Sequence, residues 1–195
     1  MNPKQLQVSI RDLLKDDANL AFNLRCDPRL RGMQYAPSML ETPETYFAVM
    51  QPGTDIPTVG FKCSTVLVDS IFAGHISEAC STSKFGTPVI QLGWNLVPEL
   101  WGKGIMVQAL DELFGKRFAA RQDIEFVACA FSKNQRSIRV IEKLGFTYAK
   151  LTISEWLYHV YHTRGTKRVL KYCLSYDLWN SRGKRESALT VDEAS

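Results

Sequence analysis

The sequence lacks the features that define several protein classes. No apolar run approaches the roughly 20 residues that span a bilayer, and Met1 to Gln7 is too polar for a secretory signal. The five cysteines are scattered, odd in number and free of any CxxC pair, so neither a disulfide framework nor a zinc cluster is indicated. We therefore expect a cytoplasmic protein with free thiols, no membrane association and no bound metal.

Charge of one sign is not concentrated anywhere in the chain. The formal net charge is only +4, and Lys and Arg are spread over all 195 residues. A solvated surface is expected from this pattern, and no nucleic-acid partner. With 45% hydrophobic and 23% charged residues, the composition is that of one folded globular domain.

The first half of the chain alternates β-prone segments with helix signals. Thr42-Pro43-Glu44 combines a capping hydroxyl, a proline at the first helical position and an acid in the first turn. Asp69-Ser70 separates two β-branched segments and predicts a hairpin turn. The predicted elements are a strand at Val8–Leu14, a helix from Asp16 or Asp17 to about Asp27, a helix from Thr42 to about Met50, and strands at Thr58–Val68 and Ile71–Cys80.

A strand-loop-helix-strand unit follows. Val89–Val97 and Ile124–Phe131 have strand patterns, and apolar residues recur at helical spacing from Met106 to Phe118. Such a crossover makes the two strands parallel and puts the first loop at the carboxyl edge of the sheet, where open α/β sheets bind ligands. The sequence therefore predicts a mixed α/β fold with a ligand site after Val97.

The remainder closes the predicted domain. Asn134–Leu144 has an amphipathic helical pattern, and Gly145 is placed for a left-handed helix stop. Two further strands are predicted at Thr147–Tyr158 and Lys167–Trp179, joined through a turn at 163–166. The polar segment from Asn180 to Ser195 is predicted to be a mobile tail, which limits the folded domain to residues 1–179.

The loop after Val97 has the composition of an anion site. Gly102 and Gly104 allow the backbone to approach a ligand closely, and the helix that begins there offers unpaired N–H groups. A tight turn before a core helix is the more ordinary explanation of an isolated GxG. The P-loop and dinucleotide alternatives fit poorly, because no Ser or Thr follows Gly102-Lys103 and no third glycine is present.

Two segments carry a family resemblance. Leu92–Gly104, with the sequence LGWNLVPELWGKG, and Asn134–Phe146, with the sequence NQRSIRVIEKLGF, resemble the paired central motifs of GNAT acetyltransferases. The resemblance is nearest to the branch of ribosomal-protein N-terminal acetyltransferases and extends over about residues 8–179. It implies a twisted, mostly antiparallel mixed sheet with one parallel strand pair at the cofactor site, flanked by about four helices.

The resemblance also implies how acetyl-CoA is held. Leu96 and Val97 would pair with the pantetheine arm as an added strand, and Asn134 would hydrogen-bond the arm from the other side. Without the motif, Asn134 reads equally as a helix cap. The pyrophosphate would be bound by the backbone N–H groups of Gly102, Lys103, Gly104, Ile105, Met106 and Val107.

For catalysis, the resemblance implies an oxyanion site and a proton donor. Backbone N–H groups near Leu96 and Val97 are the candidates for stabilising the oxyanion. Many relatives place a tyrosine where this sequence has Ile141. Ser137 is then the remaining candidate for protonating the departing thiolate, as in the ribosomal-protein branch.

The general base is less defined by the sequence. Relatives often carry a glutamate at the position of Gln91, which cannot accept a proton usefully. Glu155, predicted on the strand after the second motif, is the candidate base, with Glu78 or water as the alternative. A further departure is Met106, where relatives usually have Gly or Ala and where a long side chain could crowd the loop.

The acceptor is predicted to be a primary amine. A protein N-terminus is the leading candidate and a small amine such as a polyamine or antibiotic is the second, depending on the loop from Arg31 to Leu40 and the turn near 159–166. A catalytically weakened acyl-CoA-binding sensor or interaction domain is the alternative from another class. A homodimer is left open.

Overall fold

The computed structural model describes residues 6–30, 33, 42–49, 60–163 and 165–182. Their strands are β1 (Val8–Asp12), β2 (Gly60–Val68), β3 (Ile71–Thr82), β4 (Pro88–Leu96), β5 (Glu125–Phe131), β6 (Thr147–Ala149) and β7 (Val169–Leu174). All seven strands form one sheet in the order β1-β2-β3-β4-β5-β7-β6. Only the β4-β5 pair is parallel, so the predicted mixed, mostly antiparallel sheet is confirmed.

The described helices flank this sheet. They are α1 (Asp17–Cys26), α2 (Pro43–Val49), α3 (Ile105–Ala120), α4 (Gln135–Lys143) and α5 (Ile153–Thr163), and residues 176–182 are also helical. No helix in these ranges is long and apolar enough to cross a membrane. The same ranges contain no cluster of side chains able to hold a metal ion.

The hairpin turn predicted between β2 and β3 is present. Asp69 and Ser70 both have left-handed backbones, with φ of 49° and 68°. Two consecutive positive φ angles are what a two-residue turn needs to match the twist of antiparallel strands, and Asp tolerates them because its side chain bonds locally. The Asp69 carboxylate accepts the N–H of Gln7 and so also ties the start of β1 to this turn.

The main core lies between α3, α4 and one face of the sheet. Phe114 and Phe118 of α3 are fully buried, and both rings pack on Phe126 of β5 at centroid distances of 4.6 and 5.2 Å. Truncating a buried phenylalanine costs about 3–5 kcal/mol. This cluster fixes α3 against the parallel strands and therefore fixes the loop that precedes α3.

The strand predicted at Thr147–Tyr158 is wrong beyond Ala149. Only Thr147–Ala149 is a strand, and Ile153–Thr163 is the helix α5. The β-prone Trp and Tyr residues suggested a strand, but Thr152 and Glu155 form a capping box. Thr152 N–H donates to the Glu155 carboxylate at 2.7 Å, and Glu155 N–H donates to Thr152 Oγ1 at 3.3 Å. That helix-start signal outweighs strand propensity.

The last predicted strand is shorter than expected. It was predicted at Lys167–Trp179, but β7 ends at Leu174, and Ser175 accepts the N–H of Leu178 at the start of the helical residues 176–182. Arg182 in this helix contacts Asp111 and donates to the carbonyl of Lys143. Residues 180–182 thus belong to the folded part, and the rest of the predicted tail lies outside the described residues.

Candidate active site

The central sheet is split between its two parallel strands. β4 and β5 pair over only four positions, from Val89 opposite Glu125 to Leu92 opposite Ala128. Beyond this point each strand stays paired on its other side, β4 with β3 as far as Leu96 and β5 with β7 as far as Phe131. The edges of residues 93–96 and 129–131 therefore face each other across a gap. An extended ligand can hydrogen-bond there as an additional strand.

Backbone directions at the end of β4 differ for the two predicted residues. Val97 N–H donates to the carbonyl of Ala73 at 2.8 Å and so points away from the gap. Because the N–H and C=O groups of successive strand residues alternate in direction, those of Leu96 point into the gap. The Leu96 carbonyl accepts the indole N–H of Trp101 at 2.9 Å, while the Leu96 N–H faces the gap as a donor.

The glycine loop after β4 contains two residues with left-handed backbones. Gly102 and Gly104 have φ of 78° and 75°, and a Cβ at either position would meet no atom within 4 Å. Gly104 is the N-cap of α3, whose first N–H groups have no partner within the helix. The loop thus presents backbone donors and the positive end of a 16-residue helix to the space beside the gap.

A cleft of about 360 Å³ joins this loop to the gap and to α4. It brings together most of the predicted site residues: Leu96, Gly102, Gly104, Ile105, Met106, Val107, Asn134 and Ser137 all line it. Val97 and Lys103 are not among the described residues that line it. Met106 is also 4% exposed and packs in the main core, so its side chain fills the protein interior beside the loop.

Three cations of α4 line the cleft and were not predicted from the sequence. They are Arg136, Arg139 and Lys143, and the guanidinium of Arg136 lies 4.3 Å from the ring centre of Trp101. Arg136 stands in the first turn of α4, where a cation opposes the helix dipole and no acid compensates. An anionic ligand in the cleft explains this placement. The spacing i, i+3, i+7 of these cations was the available signal.

Asn134 and Ser137 meet at the N-terminus of α4. The Asn134 side chain accepts the N–H of Ser137 at 3.2 Å and donates to the carbonyl of Met33 at 3.3 Å. Asn134 is thus a helix cap in this structure, as the alternative interpretation held, and it also lines the cleft. Cofactor contact by Asn134 stays a prediction. Ile141, at the family's tyrosine position, is fully buried in the core.

Glu155 was predicted to lie on a strand, and this prediction is wrong. It lies in the first turn of α5. Its carboxylate forms an ion pair with Lys171 at 2.7 Å and also accepts the capping hydrogen bonds from the N–H and hydroxyl of Thr152. Partial burial favours the neutral acid, but these bonds outweigh it and lower the pKa of Glu155 below its usual value. A general base for an amine needs the opposite shift, so this environment does not favour Glu155 as the base, and the role stays a hypothesis.

We expect Glu155→Gln to weaken the fold slightly and to leave kcat unchanged. The Lys171 ion pair is partly exposed, so its loss should lower the free energy of unfolding by at most about 1 kcal/mol. A lowered carboxyl pKa gives stability that is present above the unfolded pKa and lost as pH falls through the folded value. The difference in urea unfolding between variant and parent should therefore vanish at acid pH. A fall in kcat on the order of 10²-fold, recovering at high pH, would instead make Glu155 the base.

Glu78, the alternative candidate base, is engaged in an ion pair. Both carboxylate oxygens of Glu78 accept from Arg117 at 2.8 Å in a buried ion pair on the α3 face of the sheet. Gln91 is solvent-exposed, and burial lowers the pKa of His75 to about 3. The described residues that line the cleft include no carboxylate and no histidine.

The comparisons with known proteins agree with this fold. The acetyltransferase (GNAT) domain family matches residues 7–147, which is more than half of the chain. The chain therefore belongs to the GNAT acetyltransferase family, and the predicted membership is confirmed. No match was found among curated proteins.

Solved structures of similar fold include several acetyltransferases. RimL, a ribosomal L7/L12 alpha-N-protein acetyltransferase in complex with coenzyme A, has a TM-score of 0.63 at 20% identity, covering 90% of this chain and 98% of that one. The spermidine/spermine N-acetyltransferase SpeG from Vibrio cholerae, in mutant form, has a TM-score of 0.64 at 13% identity, covering 91% and 98%. A putative acetyltransferase, yncA from Salmonella typhimurium with acetyl-CoA, has 0.62 at 17%, covering 87% and 94%. At these identities the likeness shows the shared fold.

Proposed function

We propose that this protein is an N-acetyltransferase that moves the acetyl group of acetyl-CoA to a primary amine. The observation that carries the proposal is the gap between β4 and β5, which opens beside the glycine loop and the cations of α4. An extended amide-containing arm fits the unpaired strand edges, and an anionic end fits the loop and the cations. Family membership and the coenzyme-bound RimL and yncA structures support the same ligand.

In this proposal, different residues of the cleft bind the phosphates, stabilise the oxyanion and donate the proton. The first-turn N–H groups of α3, Arg136 and Arg139 hold the phosphates. Trp101 occupies the Leu96 carbonyl, and the Leu96 N–H faces the gap as a donor. That N–H is placed to donate to the thioester oxygen as negative charge develops on it. The amine nitrogen forms a bond to the carbonyl carbon, the carbon–sulfur bond breaks, and Ser137 gives its proton to the departing sulfur. The nitrogen then loses its second proton, which returns to the Ser137 oxygen through water, so that the products are the amide and the free thiol.

A primary amine is mostly protonated near neutral pH, so one proton must leave before attack. Since the described lining of the cleft has no carboxylate, water carries this proton to solvent in our proposal. The acceptor is a protein N-terminal amine first and a small amine second. RimL and SpeG, whose names give these two acceptor classes, both share the fold. The loop from Arg31 to Leu40 lies outside the described residues, apart from Met33.

The same lack of a proton acceptor favours one alternative, a domain that binds acyl-CoA without efficient transfer. Incubation of the pure protein with radiolabelled acetyl-CoA and a panel of peptides and small amines separates the two. We expect label on at least one class of amine, with coenzyme A released in equal amount. Tight binding of acetyl-CoA with no labelled product over the whole panel would support the binding domain instead.

A further inference from the structure

Helix α5 presents an apolar face to solvent. Ile153 and Tyr161 are each 80% exposed, and Trp156, Leu157 and Tyr158 are 53–55% exposed. Scattered exposed apolar residues are ordinary, but five of them on an 11-residue helix form a contiguous surface. Surfaces of this kind mark interaction sites.

Cations border this helix on one side. A concavity of about 380 Å³ next to Trp156 is lined by Lys150, Lys167, Arg168 and the ring of Tyr148. The ion pairs found within the described part of the chain include neither Lys150 nor Arg168. We call the exposed face of α5 together with these three cations the basic aromatic surface.

The basic aromatic surface lies near the open end of the gap. Lys167 lies over the ring of Phe131, the last residue of β5, at 4.4 Å from its centre. The Phe131 carbonyl in turn accepts the N–H of Asn134, which lines the cleft. A chain that enters the gap from this side therefore passes the basic aromatic surface.

The sheet face that α5 covers can also be assigned. Ala128 and Tyr172 are opposite each other in the sheet and pack in the core beneath α3. The next pair, Cys129 and Lys171, must point to the other face, and Lys171 pairs there with Glu155 of α5. α5 therefore lies on the face of the sheet away from α3, beside the β5 edge of the gap.

We propose that the basic aromatic surface docks an acidic segment of the acceptor protein while its N-terminal amine enters the gap. This deepens the function proposed above and rests on it. Lys150 and Arg168, which have no ion pair within the described part of the chain, favour carboxylate-bearing segments, and exposed Trp, Tyr and Arg are the residues that dominate protein interfaces. A free polyamine carries the same sign of charge as the surface and is repelled by it.

Two other occupants fit less well. A second copy of this chain, related by a two-fold axis, would bring like-charged surfaces together. A nucleic acid could satisfy the cations and stack on Trp156, but it offers no apolar partner for Ile153 and Leu157. A protein segment that mixes acidic and apolar residues satisfies both parts of the surface.

The test uses two peptides with free N-terminal amines and a fluorophore at the far end. One is rich in Glu after its first residues, and the other has Gln at every one of those positions. Binding is measured by fluorescence anisotropy, and acetyl transfer is measured separately. The variant is Lys150→Glu with Arg168→Glu, and its control is Lys15→Glu with Lys84→Glu, the same charge change at two exposed positions elsewhere.

We expect the variant to raise Kd and KM for the Glu peptide on the order of tenfold. The Kd and KM for the Gln peptide should be unchanged, as should kcat and the KM for acetyl-CoA. In the control variant all of these values should equal those of the parent. Equal losses for both peptides or in the control would overturn the proposal. Tighter binding of a single-stranded oligonucleotide than of the Glu peptide would also overturn it, as would conversion of a dimer to a monomer by the variant.

The proposal and the underlying function can fail separately. If the Glu peptide binds with the expected charge dependence but is never acetylated, and no amine is, the docking surface stands and the acetyltransferase function is refuted. If small amines are acetylated and the Glu peptide does not bind, the docking surface is refuted and the transfer function stands.

Discussion

Replacing Gly104 with valine is expected to abolish most of the rise in melting temperature that acetyl-CoA produces. A ligand at a hundredfold excess over its Kd stabilises the native state by roughly 2.7 kcal/mol, or about 5–10 °C for a domain of this size. A Cβ at Gly104 meets no protein atom within 4 Å, so the added branches occupy the space in which we expect the phosphates. Valine also disfavours the backbone conformation at φ 75°, so the loop should shift away from the form that we expect to bind the phosphates.

The matched control is Gly86→Val. Gly86 has a φ of 86° and likewise no atom within 4 Å of an added Cβ, but it lies in the turn between β3 and β4 and not at the cleft. Both variants therefore suffer a similar backbone strain, about 1–2 kcal/mol, in the absence of ligand. Scanning calorimetry should find the acetyl-CoA shift intact in Gly86→Val. A full shift in Gly104→Val would exclude the loop as the cofactor site.

The second large effect is expected from Ser137→Ala, which should lower kcat on the order of 10²-fold with little change in the Kd for acetyl-CoA. Its hydroxyl is proposed to protonate the departing sulfur, and general acid catalysis contributes on the order of 10²–10⁴-fold. The backbone N–H of Ser137, which Asn134 accepts, is retained in the variant, so the cap of α4 should persist. Single-turnover acetyl transfer separates this chemical step from product release.

Ser137→Thr serves as the conservative comparison, because it keeps a hydroxyl at the same position. Activity should recover at least in part with threonine if proton donation is the role. Equal rates for the parent and the alanine variant, with chemistry shown to limit the rate, would remove Ser137 from the mechanism.

The fold was predictable where local signals and burial agreed. The Asp69-Ser70 turn, the apolar spacing of α3 and the stop at Gly145 each specify one backbone state, and the structure has all three. The segment after Ala149 was mispredicted because Trp and Tyr favour strands only weakly, while a capping box at Thr152 and Glu155 satisfies helix-end donors directly.

The candidate site was predictable in its loop but not in its electrostatics. Gly102 and Gly104 indicate a site where backbone N–H groups meet a ligand, because glycine can adopt positive φ angles, and both residues line the cleft. Which of Leu96 and Val97 faces the gap depends on strand register, which only the pairing with β3 reveals. The pKa of Glu155 depends on Lys171, a residue 16 positions away that tertiary packing brings within 2.7 Å.

The gap between β4 and β5 also divides the sheet mechanically. Strands β1 to β4 form one block and β5, β7 and β6 another, and only four residue pairs join them. Amide hydrogens on the gap-facing edge of residues 93–96 have no strand partner to shield them and should exchange with solvent faster than those facing β3. A ligand that binds as an extra strand would slow that exchange and join the two blocks. Such a ligand would be a structural part of the sheet for as long as it stays bound.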